Sequence, residues 1–160
     1  MKVFGVTGRK DAGKTTLVEA LVRELTARGL VVATLKHAHH GFEVDEPGRD
    51  SFRHREAGAR EVLVASGARW ALMHEGPAPG LFELLGRLSP CDLALVEGWK
   101  VEPHPKLEVW RAALGEPPLA VAGGAANVVA VASDDPVEGL RRVALSDVPA
   151  LADLALAEAA

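Results

Sequence analysis

GVTGRKDAGKTTLVEALVRELTARG, residues Gly5 to Gly29, decides how the rest of the chain is read. Val3 to Thr7 is a short apolar run closed by Gly8, the pattern of a buried strand. From Thr15 to Arg28, leucines recur at 17, 21 and 25 with Val18 and Val22 beside them. Glu19, Arg23, Glu24 and Arg28 fall elsewhere, so the period is that of an amphipathic helix. Gly29 is its stop. Leu30 to Leu35 is a second apolar run and a second strand. Strand, glycine loop, helix and strand make a parallel pair with a right-handed crossover.

Inside that unit, Gly8-Arg9-Lys10-Asp11-Ala12-Gly13-Lys14-Thr15 matches G-x-x-x-x-G-K-[ST] at every position. The chemistry asks for these residue types. The glycines let successive backbone amides curl toward an anion, and the helix N-terminus adds a positive dipole. Lys14 reaches the β- and γ-phosphates, and the Thr15 hydroxyl can bind Mg²⁺. Thr16 completes the set of candidate nucleotide contacts. The bland alternative is an ordinary strand-to-helix turn with a surface lysine.

Outward from the loop, strands keep alternating with helices. Lys36 to Ser51 is a polar loop, and a short helix is expected over Phe52 to Ala59, capped by Asp50 or Ser51. Glu61 to Ala65 and Trp70 to His74 read as a hairpin around SGAR. Pro79 to Leu88 reads as a helix and Asp92 to Val96 as a central strand. Lys106 to Trp110, Leu119 to Ala122 and Val128 to Ala132 are further strand candidates. Pro136 to Val143 and the alanine-rich tail from Val148 read as helices. The expected fold is α/β, an open, mostly parallel sheet flanked by helices with an antiparallel hairpin extension. With 160 residues it is expected to form one domain.

Bulk composition narrows the function. Hydrophobic residues make up 48% and charged residues 25% of the chain, a globular mix. A net charge of −4 argues against nucleic acid as partner, so any anion site is local. The single cysteine, Cys91, allows no internal disulfide and suits a reducing cytoplasm. No uncharged apolar run approaches the roughly 18 residues of a membrane span.

Ligands of such sheets bind at the carboxyl ends of the strands. Asp92 opens its strand and Glu97 closes it, about 16 Å apart at ~3.3 Å per residue. Glu97 is therefore the expected Mg²⁺ partner of Thr15, directly or through water, and Asp92 caps the far end. Trp99 is either a lid or packing. Asp134 or Asp135, with Asp134 preferred, is expected to emerge from Val128 to Ala132 at the same edge and to accept the donors of guanine, although Asp134-Asp135-Pro136 is also a good helix start.

A second cluster is KHAHHGFEVDEPGRDSFRHREAGA, Lys36 to Ala59. His37, His39, His40 and Asp50 lie in it, with Arg49 and Arg53 one helical turn apart. The array suits a second anionic group or a partner surface. A zinc site and a solvated loop are the competing readings.

Taken together, GRKDAGKTTL, the histidine-rich block and LALVEGWK resemble the MobB family of molybdopterin-guanine dinucleotide biosynthesis adaptors. PKLEVWR and VVAVASDDP resemble the family's later elements, so the likeness spans nearly the whole chain. The resemblance implies a P-loop fold, GTP as ligand, a homodimer and at most weak GTPase activity. It implies work beside a MobA-type guanylyltransferase that joins GMP to molybdopterin, with molybdopterin itself a candidate ligand of the second cluster. Arg9 departs from the broader class, where a lysine often follows the first glycine. The alternative is a phosphoryl-transfer enzyme, a small-molecule kinase or a dethiobiotin-synthetase-like ligase.

Overall fold

The computed structural model describes residues 1–38, 41 and 44–160. In chain order the elements are β1 (Lys2–Gly8), α1 (Lys14–Ala27), β2 (Val32–Lys36), α2 (Asp50–Glu56), β3 (Glu61–Ala65), β4 (Trp70–His74), α3 (Leu81–Leu85), β5 (Leu93–Glu97), β6 (Lys106–Val109), α4 (Leu119–Ala122), β7 (Val128–Ala132), β8 (Arg142–Val143) and α5 (Val148–Glu158). They fall into two compact units, Met1–His37 with Leu81–Ala160, and Ala38–Gly80.

The first unit is built on a six-stranded sheet of order β2-β5-β1-β6-β7-β8, with every neighbouring pair parallel. Register sets Val6 beside Glu97, Glu97 beside Lys36 and Gly8 beside Val109, so these residues share one edge of the sheet. One face buries Phe4, Val6, Leu95 and Leu107 against Leu17, Leu21 and Leu25 of α1 and Leu151 and Leu154 of α5. The i, i+4, i+8 leucine stripe is thus the core face. Helix α1 ends in the paired bonds of a Schellman turn, Gly29 N–H to Thr26 O and Leu30 N–H to Leu25 O. Asp147 caps α5 by accepting from Ala150 N–H at 3.1 Å.

The opposite face holds a smaller apolar cluster, Leu35, Leu81, Leu85, Ala94 and Val96. Beside it, β6 buries charge. Lys106 is fully buried, and its ammonium donates to the carbonyls of Glu102, His104 and Ala126 at 2.6–2.7 Å. Burial pushes Lys106 down to about 8, against the charge of Glu102, which raises it. His104 fills the space that Gly5 leaves, for a Cβ on Gly5 would lie 2.5 Å from its Nε2. Burial, then the charge of Lys106, pushes His104 down to about 4, so its imidazole is neutral.

Two expected elements are corrected here. Leu119–Ala122 is a helical turn, not a strand. The buried Glu108 carboxylate accepts from Leu119 N–H at 2.6 Å and Ala120 N–H at 2.9 Å, which satisfies the first amides of a helix. Pro136 to Val143 is not a helix either. It turns, and Arg142–Val143 forms β8 on the free edge of β7, with Val131 N–H bonded to Arg141 O and Ser133 N–H to Val143 O.

The second unit pairs β3 and β4 antiparallel, from Glu61 opposite His74 to Ala65 opposite Trp70, around a turn closed by Ser66 N–H to Arg69 O at 2.7 Å. This is the expected hairpin. Helix α2 starts at Asp50, with Arg49 as its N-cap and no side-chain cap from Asp50 or Ser51. Arg55 binds Asp45 at 3.2 Å and Glu75 at 3.6 Å, and lies 5.0 Å from the centre of the Phe52 ring. Arg55 thus joins the polar loop, the helix and the end of the hairpin.

Candidate functional site

The glycine loop leaves β1 at Gly8, which lies so close to β6 that a Cβ there would sit 2.4 Å from the Val109 carbonyl. Gly8, Asp11 and Gly13 have φ of 145, 62 and 101°. Glycine adopts such angles freely and aspartate tolerates them. Alternation of this kind turns backbone amides toward one concave side, the geometry of an anion nest. Ala12 is fully buried and anchors the loop to the core, while Lys10 and Asp11 are exposed.

Lys14 opens α1 and arches back, its ammonium donating to Arg9 O at 2.7 Å. Its pKa is lowered, first by burial and then by the charges of Lys100 and Lys36, against Glu97 and Asp11, which raise it. Lysines from three segments thus converge beside the loop in a chain that is acidic overall. The Thr15 hydroxyl donates to Glu97 Oε1 at 3.0 Å. Glu97 is 8% exposed at the carboxyl end of β5. The Lys36 ammonium donates to Thr15 Oγ1 at 3.2 Å and lies 3.6 Å from Glu97 Oε1. A hydroxyl and a buried carboxylate at this spacing are hard oxygen donors and fit Mg²⁺, which binds through one or two such groups and keeps several waters. Asp92 stands at the other end of β5, accepting from Val31 N–H at 2.8 Å.

After Glu97 the chain turns sharply. Gly98 has φ of 102°, and a Cβ on it would lie 2.9 Å from the Cβ of His37. Trp99 packs on the Leu35–Val96 cluster and meets the His37 ring edge-on at 5.0 Å, so its visible role is packing. Arg9 is turned to its own chain, 2.5 Å from Glu116 Oε2 and 3.3 Å from Pro117 O.

On the other side of β1, Asp134 is exposed and its Oδ1 accepts from Leu145 N–H at 3.1 Å. Asp135 Oδ2 accepts from Ala112 N–H at 2.8 Å. The aspartates therefore tie the loops after β6 and β8 together rather than start a helix. Sequence reasoning missed Arg111. Its Nε donates to Ala12 O at 3.0 Å. Arg111 lines a small cavity with Gly13, Thr16, Leu17, Ala20 and Leu145. Its place one residue past Trp110, at the carboxyl end of the expected strand Lys106 to Trp110, was the available signal.

The second cluster is only partly described. His39 and His40 lie outside the described residues. His37 belongs to the first unit, and Arg49, Asp50 and Arg53 to the second. Arg53 N–H bonds Arg49 O at 3.0 Å, one helical turn on, and Arg49 pairs with Glu46 at 3.1 Å. Among the described residues, no three His, Cys, Asp or Glu side chains come together as a metal set. Among them also, no helix is long and apolar enough to cross a membrane.

The family described as MobB, molybdopterin guanine dinucleotide synthesis protein B, matches residues 3–134. The chain is 39% identical over 155 residues to the molybdopterin-guanine dinucleotide biosynthesis adapter protein of Haemophilus influenzae, covering 94% of this chain and 85% of that one. It is 42% identical over 147 residues to the Escherichia coli protein of the same name, covering 88% and 83%. The crystal structure of Bacillus subtilis MobB superposes with a TM-score of 0.78 at 26% identity, over 100% of this chain and 99% of that one.

Proposed function

We propose a GTP-dependent role for this chain, which belongs to the MobB family and is an adapter protein of molybdopterin-guanine dinucleotide biosynthesis. The observation that carries the reading is the Thr15–Glu97 contact beside the half-buried Lys14, at the carboxyl edge of a parallel sheet. The loop amides and Lys14 hold the β- and γ-phosphates. Thr15 and Glu97 would hold Mg²⁺, which when bound would neutralise the phosphate oxygens. Arg9 is engaged by Glu116 and Pro117, so it does not supply a phosphate contact in this arrangement, in keeping with weak hydrolysis at most. The kinase or ligase alternative is not favoured, since relatives matched over most of their length are named adapters.

The base is guanine, read by Asp134. Its second carboxylate oxygen has no bond to the Leu145 amide, and guanine N1–H and N2–H₂ together suit a carboxylate. Calorimetric titration should show GTP preferred over ATP. Asp134→Asn should move affinity from GTP toward XTP. If neither Asp134→Asn nor Asp135→Asn changes the GTP:XTP preference, the base is read elsewhere.

The partner is a MobA-type guanylyltransferase, approached through the cationic turn of Arg49 and Arg53, with molybdopterin phosphate as the other anion that turn could meet. Added to a reconstituted reaction of that enzyme with molybdopterin and GTP, the chain should raise the yield of guanine dinucleotide. Arg53→Ala should retain GTP affinity within about twofold, as an exposed charge outside the glycine loop's motif, and lose part of the stimulation. Equal stimulation by wild type and variant would remove the turn from this role.

A further inference from the structure

We propose that Arg111 is the α-phosphate contact of the nucleotide site, a role that rests on the nucleotide reading above and gives the bound molecule its direction. The sheet order supplies that direction. β5 and β2 lie on one side of β1 and carry Glu97 and Lys36, the groups that meet the Thr15 hydroxyl. The metal and the terminal phosphate belong on that side. β6, β7 and β8 lie on the other side, where Arg111, Asp134 and Leu145 gather. A nucleotide laid across the glycine loop from Thr15 toward Asp134 passes Thr16 and Arg111 on the way.

The arginine is held for such a contact. The segment after β6 is fixed by Trp110 N–H to Ala132 O at 3.1 Å, Trp110 Nε1 to Glu116 O at 2.8 Å and Ala112 N–H to Asp135 Oδ2 at 2.8 Å. Arg111 Nε is spent on Ala12 O, the carbonyl in the middle of the glycine loop. A guanidinium has five N–H donors in one plane. With Nε so placed, the remaining fork lies over Gly13, where its terminal nitrogen is 3.6 Å from the position of a Cβ. The cavity beside it is otherwise lined by Leu17, Ala20 and Leu145, with Thr16 as the other polar side chain. A site with two apolar sides, one hydroxyl and one fork matches a phosphodiester-like oxygen pair beside a sugar. It does not match the dense charge of a terminal phosphate, for which Lys14 beside Thr15 and Lys36 is the better partner. Arg111 is thus an anion contact delivered by the strand next to the loop, independent of the loop's own lysine.

An α-phosphate is present in GTP, GDP and GMP alike, and this makes the role separable. Titrating wild type and Arg111→Gln with GTP and GDP should show the same loss for both, roughly 10- to 100-fold for one charge-assisted fork. Arg111→Lys keeps the charge without the fork and should recover only part. In wild type, replacing GTP by its α-thio analogue should weaken binding, and that sensitivity should vanish in Arg111→Gln; a merely structural arginine would leave the sensitivity intact. A loss at least tenfold larger for GTP than for GDP would place Arg111 on the terminal phosphate and overturn the assignment. So would unchanged affinity of Arg111→Gln for both. Absence of any nucleotide binding by wild type would instead sink the nucleotide reading itself and this role with it.

Discussion

Lys14→Ala should lower the affinity for GTP by about two to four powers of ten and leave the fold intact. The Lys14 ammonium is half-buried and already bonded to Arg9 O at 2.7 Å, so little motion separates it from a phosphate in the loop. Exchanging a carbonyl acceptor for phosphate oxygens turns a neutral acceptor into an ionic one. Charge-assisted bonds of this kind contribute about 1.5–3 kcal/mol each, and one lysine that bridges two phosphates makes two. That sum, about 3–6 kcal/mol, corresponds to a loss on the order of 10²–10⁴ in dissociation constant. Stability is a separate matter. The core face of α1 is Leu17, Val18, Leu21 and Leu25, all of which the substitution leaves in place, and alanine is the better helix former. Calorimetry with GTP and Mg²⁺, beside a thermal melt, reads both quantities. Wild-type affinity in a folded Lys14→Ala variant ends the phosphate assignment.

The parts of this chain that were legible in sequence are those whose partners are close by or follow a period. The leucine stripe of α1 needed only its spacing. The loop needed only its eight residues. Glu97 could be ranked above Asp92 because strand direction follows from the parallel crossover, and the structure sets the two at opposite ends of β5. What failed depended on distant backbone. LAVA at 119–122 is apolar enough for a strand, and nothing local reveals that Glu108, eleven residues earlier, receives its first two amides. KLEV at 106–109 was readable as a strand, but not as one that buries its lysine and glutamate completely, because the compensating groups come from 102–104, 119–120 and 126. Pro136 has the look of a helix start, yet the unpaired edge of β7 draws Arg142 and Val143 into a strand. Arg111 reaches Ala12 only because β6 lies beside β1, a neighbour relation that the order of strands along the chain does not reveal.

The charge on Glu97 makes a prediction with two signs. In Glu97→Gln, the Thr15 hydroxyl keeps an acceptor of the same shape, now 3.0 Å from an amide oxygen instead of a carboxylate oxygen. The metal loses an anionic ligand, or the anion that orients a ligating water, and such losses cost about 10- to 100-fold in metal affinity. The same carboxylate is also a buried negative charge close to where the terminal phosphate would lie, and it is the largest influence raising the pKa of Lys14. Removing it lowers the repulsion felt by GTP without Mg²⁺. The variant should therefore bind metal-free GTP at least as well as wild type, while the gain in affinity and hydrolysis on adding Mg²⁺ shrinks by at least tenfold. Lys36, 3.6 Å from Glu97 in this structure, is then released from its counter-ion and reinforces the metal-free binding. Asp92→Asn keeps an acceptor for Val31 N–H at the far end of β5 and should change neither quantity by more than about twofold, as expected for a polar swap remote from the site. Titrations with GTP in Mg²⁺ and in chelator, on both variants, separate the two signs. Weaker metal-free binding by Glu97→Gln, or a larger loss of the Mg²⁺ effect in Asp92→Asn, contradicts the proposal that Thr15 and Glu97 would hold the metal.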